Sequence, residues 1–130
     1  MKEVDDVEKR RIIESYITAY NDFDVEGMLS YVHQDIEFKD FSANEIHTSV
    51  RGIDNLRQLA EQSKALFTSR SQTITSFKYW DDSVSIEIKF EATLAVDFPN
   101  GMKAGDVLHL NGRSEFKFKD GKLYRIEDYS

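Results

Sequence analysis

The spacing of apolar residues changes along this chain, and that change limits the fold more than any other feature. Apart from one alternating stretch at 35–40, the first half repeats at helical spacing. After Ser71 nearly everything alternates at period two. Ile13, Tyr16, Ile17 and Tyr20 fall at i, i+3, i+4 and i+7, which predicts a helix over 5–20, and Asp5 with Glu8 reads as its capping box. Asn21-Asp22 breaks that pattern. A shorter helix is predicted over 25–32, with Asp24 as N-cap and Met28, Leu29 and Val32 as its apolar face. In the 35–40 strand, Ile36, Phe38 and Asp40 share one face. Residues 41–52 are polar and read as a loop. A third helix is predicted over 53–67, with Ile53, Leu56, Ala60, Ser63 and Phe67 on one side.

Four strands should follow, over 73–80, 84–96, 106–118 and 122–129. The second places Val84, Ile86, Ile88, Phe90, Ala92, Leu94 and Val96 on one face, opposite Glu87, Lys89 and Glu91. Phe98-Pro99-Asn100-Gly101 is a turn, and Asp120-Gly121 is a hairpin signal. Helices first and a meander afterwards define an α+β domain spanning 1–130. Its expected shape is a cone: three N-terminal helices packed on a strongly curved, mostly antiparallel sheet that encloses a pocket.

A net charge of −7 gives no electrostatic footprint for phosphate backbones, so neither nucleic acid nor an anionic membrane is an expected partner. There is no cysteine, hence no thiol nucleophile and no disulfide. The charged opening lacks the apolar stretch of a signal peptide, and no apolar run approaches the roughly 18 residues of a membrane span. A cytoplasmic location is the expectation. His33, His47 and His109 are far apart and match no metal motif. Nucleophile-elbow, phosphate-loop and dinucleotide signatures do not occur, and no metal or organic cofactor is expected.

The alternation turns Asp40 toward the core, where a carboxylate must be hydrogen-bonded, paired or raised in pKa. A raised aspartate suits general-base work. Alternatively, Asp40 ends its strand and caps the following turn. Tyr16 lies on the apolar stripe of the first helix, so its hydroxyl faces either a ligand or a core acceptor. Asp128 shares parity with Tyr124 and Ile126. It faces the cavity if Ile126 does, or it is solvated if the chain end frays. Ser114 belongs to an inward set with Leu108, Leu110, Phe116 and Phe118, and would donate to a ligand or to the sheet. Trp80, Phe90, Leu110 and Ile126 are candidate pocket walls.

The run from Ser15 to Asp24, followed by Glu26-Gly27-Met28-Leu29, resembles the opening of the nuclear transport factor 2-like superfamily. That superfamily includes ketosteroid isomerases and SnoaL-like polyketide cyclases. Arg51-Gly52-Ile53-Asp54-Asn55-Leu56 resembles its third-helix entry, and the stretch from Phe116 to Asp128 its closing hairpin. The resemblance implies that Tyr16 is the oxyanion-donating tyrosine and Asp40 the general base of the isomerases. Their second, acidic oxyanion donor is replaced here by Ser114. In the cyclases, Asp128 would hold the acid/base position.

Two functions follow. One is an enzyme moving a proton beside a carbonyl of a small, mostly apolar molecule. The other is a non-catalytic ligand-binding or protein-association module of the same fold. Val107, His109, Thr93 and Ala95 occupy the outward parity with little charge, and the superfamily commonly pairs through this face, so a homodimer is expected.

Overall fold

The computed structural model describes residues 4–130; the first three residues of the charged opening lie outside them. Asp5 caps α1 (Asp6–Asn21), its carboxylate accepting from the Glu8 backbone N–H at 2.9 Å. Of the predicted stripe, Ile13, Tyr16 and Ile17 are buried, joined by Ile12 and Ala19, and Tyr20 is partly buried. Asp24 caps α2 (Val25–Leu29) by accepting from the Gly27 N–H at 2.9 Å. A Cβ on Gly27 would sit 2.2 Å from the Asp24 carboxylate, so only glycine allows this approach. The third helix, α3, spans Ile53–Lys64.

The strands are β1 (Val32–Ser42), β2 (Glu45–Arg51), β3 (Phe67–Tyr79), β4 (Ser83–Leu94), β5 (Val107–Lys119) and β6 (Lys122–Tyr129). They form one curved, open sheet in the order β2-β1-β6-β5-β4-β3. Every neighbouring pair is antiparallel except β1 and β6, which run parallel. The helices pack on this sheet, giving the expected α+β architecture. Ile13, Ile36, Val84, Ile86, Phe116, Leu123 and Ile126 are essentially inaccessible between the layers. Each such side chain stabilises the fold by about 1.5–3 kcal/mol through burial.

Three boundaries differ from the sequence reading, each for a local reason. The predicted loop at 41–52 contains β2. The β1–β2 hairpin turns at Ala43 and Asn44, both at positive φ (53° and 66°), so a tight turn forms without the glycine that usually announces it. The second helix stops at Leu29, and Val32 opens β1 instead of ending the helix. The third helix stops at Lys64, and Phe67 opens β3. At the other hairpin, Asp120 and Gly121 both take positive φ (54° and 78°), as the Asp-Gly signal requires.

β3 is an edge strand, and its exposed backbone is answered by α1. The Asn21 side chain both accepts from the Gln72 N–H (2.8 Å) and donates to the Gln72 carbonyl (3.1 Å). An amide side chain thus stands in for a neighbouring strand. Two residues away, Arg70 Nε donates to the Tyr20 carbonyl at 2.8 Å. Asn21→Ala should therefore lower the unfolding free energy by about 1–3 kcal/mol, because two partly buried backbone groups lose their partners. Denaturant unfolding measures the loss. Amide hydrogen exchange should accelerate at Gln72 while the β4–β5 ladder stays protected.

A cavity lined by tyrosine, arginine and an aspartate

A cavity opens between α1, α3 and the sheet. Its volume is about 80 Å³, counted as space open to the centres of water molecules. That is ample for ordered water. Ile17, Met28, Phe38, Leu56 and Phe116 supply apolar walls. Tyr16, Tyr20, Arg70, Gln72, Ser114 and Asp128 supply the polar groups.

The acid comes from the sheet. Ser114 on β5 and Asp128 on β6 are register partners, and Ser114 Oγ donates to Asp128 Oδ1 at 2.6 Å. Burial pushes the Asp128 carboxyl up to about 6. The Ser114 hydrogen bond acts in the opposite direction, and the nearby Asp40 charge adds to the rise. The last turn of chain is not frayed: the Ser130 N–H donates to the Phe41 carbonyl at 3.1 Å, and Phe41 stacks on Tyr129 at 4.7 Å.

Tyr16 projects from α1 and is only 6% exposed, with its ring edge-on to Phe116 at 6.3 Å. Burial raises its pKa, and the charge of Asp128 raises it further, so the hydroxyl stays protonated and able to donate. Arg70 projects from β3, also 6% exposed. Its guanidinium lies over the rings of Tyr20 (3.7 Å) and Phe23 (4.4 Å), and burial lowers its pKa. Gln72 Oε1 is buried and has no hydrogen-bond partner.

The structure separates the sequence candidates. Tyr16, Ser114 and Asp128 line one cavity. Asp40 is level with Asp128 on the neighbouring strand, but it is only half-buried and lies outside the cavity lining. Burial raises its carboxyl, and His47 pulls the other way. Trp80 is 50% exposed and donates to Ser85 Oγ at 3.3 Å; Leu110 is 44% exposed. Both are exposed instead of forming the expected cavity wall. Phe90 packs on Tyr20 and Phe67, and Ile126 is sealed in the core; neither lines the cavity.

Arg70 and Gln72 escaped the sequence reading, which begins this strand at Thr73. Arg70, Gln72 and Ile74 do share one parity. A register shift between Ile74 and Ser76 then hands the inward face to Phe77 and Tyr79, so no single alternation runs the length of β3. Among the described residues, no group of three His, Asp or Glu side chains is arranged to hold a metal ion. No described helix is long and apolar enough to cross a membrane.

Helices over a curved sheet, with a partly buried aspartate lining a cavity between them, define an α+β fold with an internal pocket. Residues 13–126 match the SnoaL-like domain family, and the chain belongs to it. No functionally curated protein matches it by sequence. Among solved structures, it is similar to a proposed polyketide cyclase from Xanthomonas campestris pv. campestris: 17% identity over 95% of this chain and 90% of that one, TM-score 0.82. AclR from Streptomyces galilaeus, a proposed hydroxylase, matches at 21% identity over 94% and 87%, TM-score 0.74. A protein with a ketosteroid isomerase-like fold from Catenulispora acidiphila, solved with trimethylamine, matches at 13% over 92% and 84%, TM-score 0.76. At these identities the likeness establishes the fold.

The raised Asp128 carboxyl makes a stability prediction. Between pH 3.8, the ordinary value, and about 6, the folded chain keeps a proton that the unfolded chain releases. Stability contributed by this group therefore falls as pH rises through that window and levels off above it, by on the order of 2–3 kcal/mol. Asp128→Asn keeps an acceptor for Ser114 and should be more stable than the wild type at pH 8 but not at pH 4. Urea unfolding of both proteins across that range measures the difference.

Proposed function

We propose that this chain binds a small, mostly apolar carbonyl compound and moves a proton beside the carbonyl, with Asp128 as the acid/base. The observation that carries this reading is the enclosed Asp128 carboxyl, held by Ser114 and raised to about 6, in the same cavity as a protonated Tyr16. Above pH 6 the carboxylate is free to accept a proton, and its raised value makes it a stronger base than an ordinary aspartate.

In the proposed step, Asp128 takes a proton from the carbon next to the carbonyl. The electron pair of that C–H bond moves into the new C=C bond, and the carbonyl π pair moves onto oxygen. Tyr16 donates a hydrogen bond to the developing oxyanion. Asp128, now protonated, returns its proton to carbon at the same position or, in an isomerisation, at a conjugated one. Ser114 positions the carboxylate through its 2.6 Å bond. The polyketide cyclase assignment of a structural neighbour is in keeping with carbonyl chemistry of this kind. Asp40 acts only through its charge on Asp128.

The alternative is a binding module without turnover. Ser114 occupies the place where the isomerase resemblance implies an acidic donor, so oxyanion stabilisation rests on Tyr16 alone. Deuterium uptake into cyclohexanone and 2-tetralone separates the two. Wild-type exchange above buffer should vanish in Asp128→Asn, fall about a hundredfold in Tyr16→Phe, and survive in Asp40→Asn. Loss of exchange in Asp40→Asn with retention in Asp128→Asn would reverse the roles of the two acids. Saturable binding with no exchange would leave the module.

The proposal includes self-association through the outer sheet face. There Thr93 and Val107 are register partners, next to the Glu91–His109 pair, and Val107 is about half exposed. Sedimentation at micromolar concentration should show a dimer, and Val107→Lys should shift it toward monomer.

A further inference from the structure

The charged end of the cavity opposite the acid is not explained by proton transfer. Arg70 is only 6% exposed, yet no carboxylate among the described residues pairs with it. Its Nε bonds the Tyr20 carbonyl, and its faces meet two aromatic rings. The Tyr20 side chain is a further hydrogen-bond partner of the guanidinium, and a neutral one. Asp128 does not neutralise it: the groups acting on Arg70 are Tyr20 and Tyr16, and those acting on Asp128 are Ser114 and Asp40. Buried guanidinium groups are almost always paired.

One strand position pair away lies the second anomaly. Gln72 Oε1 is buried without a donor, the only such side-chain atom among the described residues. Asn21 clamps the Gln72 backbone, and the Gln72 side chain shares a hydrogen bond with the Tyr20 side chain. A buried acceptor left empty costs about 1–3 kcal/mol. Two neighbouring side chains on β3 therefore present a guanidinium without a carboxylate partner among the described residues, and an unmet acceptor, to one cavity.

We propose that Arg70 and Gln72 form a subsite for two adjacent ligand oxygens, a carbonyl or carboxylate oxygen received by Arg70 and a hydroxyl donating to Gln72 Oε1. The matching chemical class is a ring-sized molecule with a hydroxyl beside a carbonyl or carboxylate, such as a 2-hydroxyaryl carboxylate or a 2-hydroxyaryl ketone. Two oxygens ordered in this way would anchor one edge of the ligand at β3. The remainder of the ring would then extend toward Tyr16 and Asp128. The net charge of −7 repels anions in general, so anion affinity here would come from Arg70 locally. This inference rests on the cavity being the ligand site, as proposed above, and not on turnover.

The test is binding without reaction. Salicylate, 2-methoxybenzoate and benzoate are titrated into the full chain and followed by backbone and arginine Nε–H nitrogen–proton NMR. Salicylate should bind about tenfold more tightly than 2-methoxybenzoate, which cannot donate, and should shift Gln72 and the Arg70 Nε–H. Gln72→Leu keeps the backbone clamp and should erase that preference while retaining benzoate affinity. Arg70→Lys should weaken all three carboxylates. Arg70→Lys also alters the Tyr20 contact, so its fold is checked by its spectrum; Gln72→Leu carries the decision if it fails to fold. Equal affinity for salicylate and 2-methoxybenzoate, shifts confined to other surfaces, an unchanged preference in Gln72→Leu, or no saturable salicylate binding at millimolar concentration would each overturn the subsite. Failure of deuterium exchange alone would sink the proton-transfer reading and leave this one standing.

Discussion

The cavity exists because the end of α1 is tied to a sheet edge. β3 has β4 on one side and no strand on the other. Asn21 answers that open edge with a donor and an acceptor on a single residue, Gln72, while the Tyr20 carbonyl takes the Arg70 Nε. These bonds hold the helix against the strand at one end of the cavity. At the other end, Tyr16 and Ile13 are packed into the core against Phe116 and its neighbours. A helix docked at both ends spans the concave face without filling it, and the space left beneath is the pocket. The same contacts that close the fold therefore aim Arg70 and Gln72 inward.

The two aspartates show how register decides chemistry. Asp40 and Asp128 are level on parallel neighbours, so both extend the face carrying Phe38 and Ile126. Asp128 is flanked on both sides by strands, and Ser114 on β5 reaches it. Asp40 has only β2 beyond it, a short strand at the sheet margin with exposed residues. Desolvation raises both carboxyls, but the enclosed one is raised further and sits in the cavity. Neighbouring like charges disfavour simultaneous ionisation. With Asp40 nearer solvent, it keeps its charge more readily and leaves the proton on Asp128.

The elements whose signals are local were legible in the amino-acid order. Asp5 and Asp24 as caps, the Ile13–Tyr16–Ile17 stripe and the Asp120-Gly121 turn depend on residues a few positions apart, and each lies where spacing places it. What was not legible depends on distant partners. β2 is short, mostly exposed and entered through Ala43-Asn44, so the alternation of Ile46, Thr48 and Val50 is its one strand signal and is easily passed over among polar neighbours. Trp80 and Leu110 have the parity of wall residues, yet parity says nothing about how far the helices extend over the sheet. The acid had two candidates in sequence because parity treats Asp40 and Asp128 alike; only the order of strands distinguishes a central position from a marginal one.

Arg70 is the residue that sequence reasoning was least equipped to find, and the reason is physical. A guanidinium is normally read as a solvated group, since its desolvation is costly unless neighbours compensate. Here the compensation is assembled from three separate places: a helix C-terminal carbonyl, the faces of two aromatic rings, and an open cavity. The Tyr20 carbonyl belongs to the last turn of α1, where it accepts from the Phe23 N–H at 3.1 Å and takes the Arg70 Nε–H on its second lone pair. Tyr20 and Phe23 flank the helix end and so bracket the same point in space. None of these is a neighbour of Arg70 in sequence. The arrangement bonds the guanidinium to Tyr20 and sets it over two rings, and leaves its charge beside the cavity with no carboxylate partner among the described residues. Full neutralisation by a protein carboxylate would have made a stronger internal pair and a closed site. Leaving it incomplete keeps the charge available to whatever enters, at the opposite end from the only acid in the lining, Asp128.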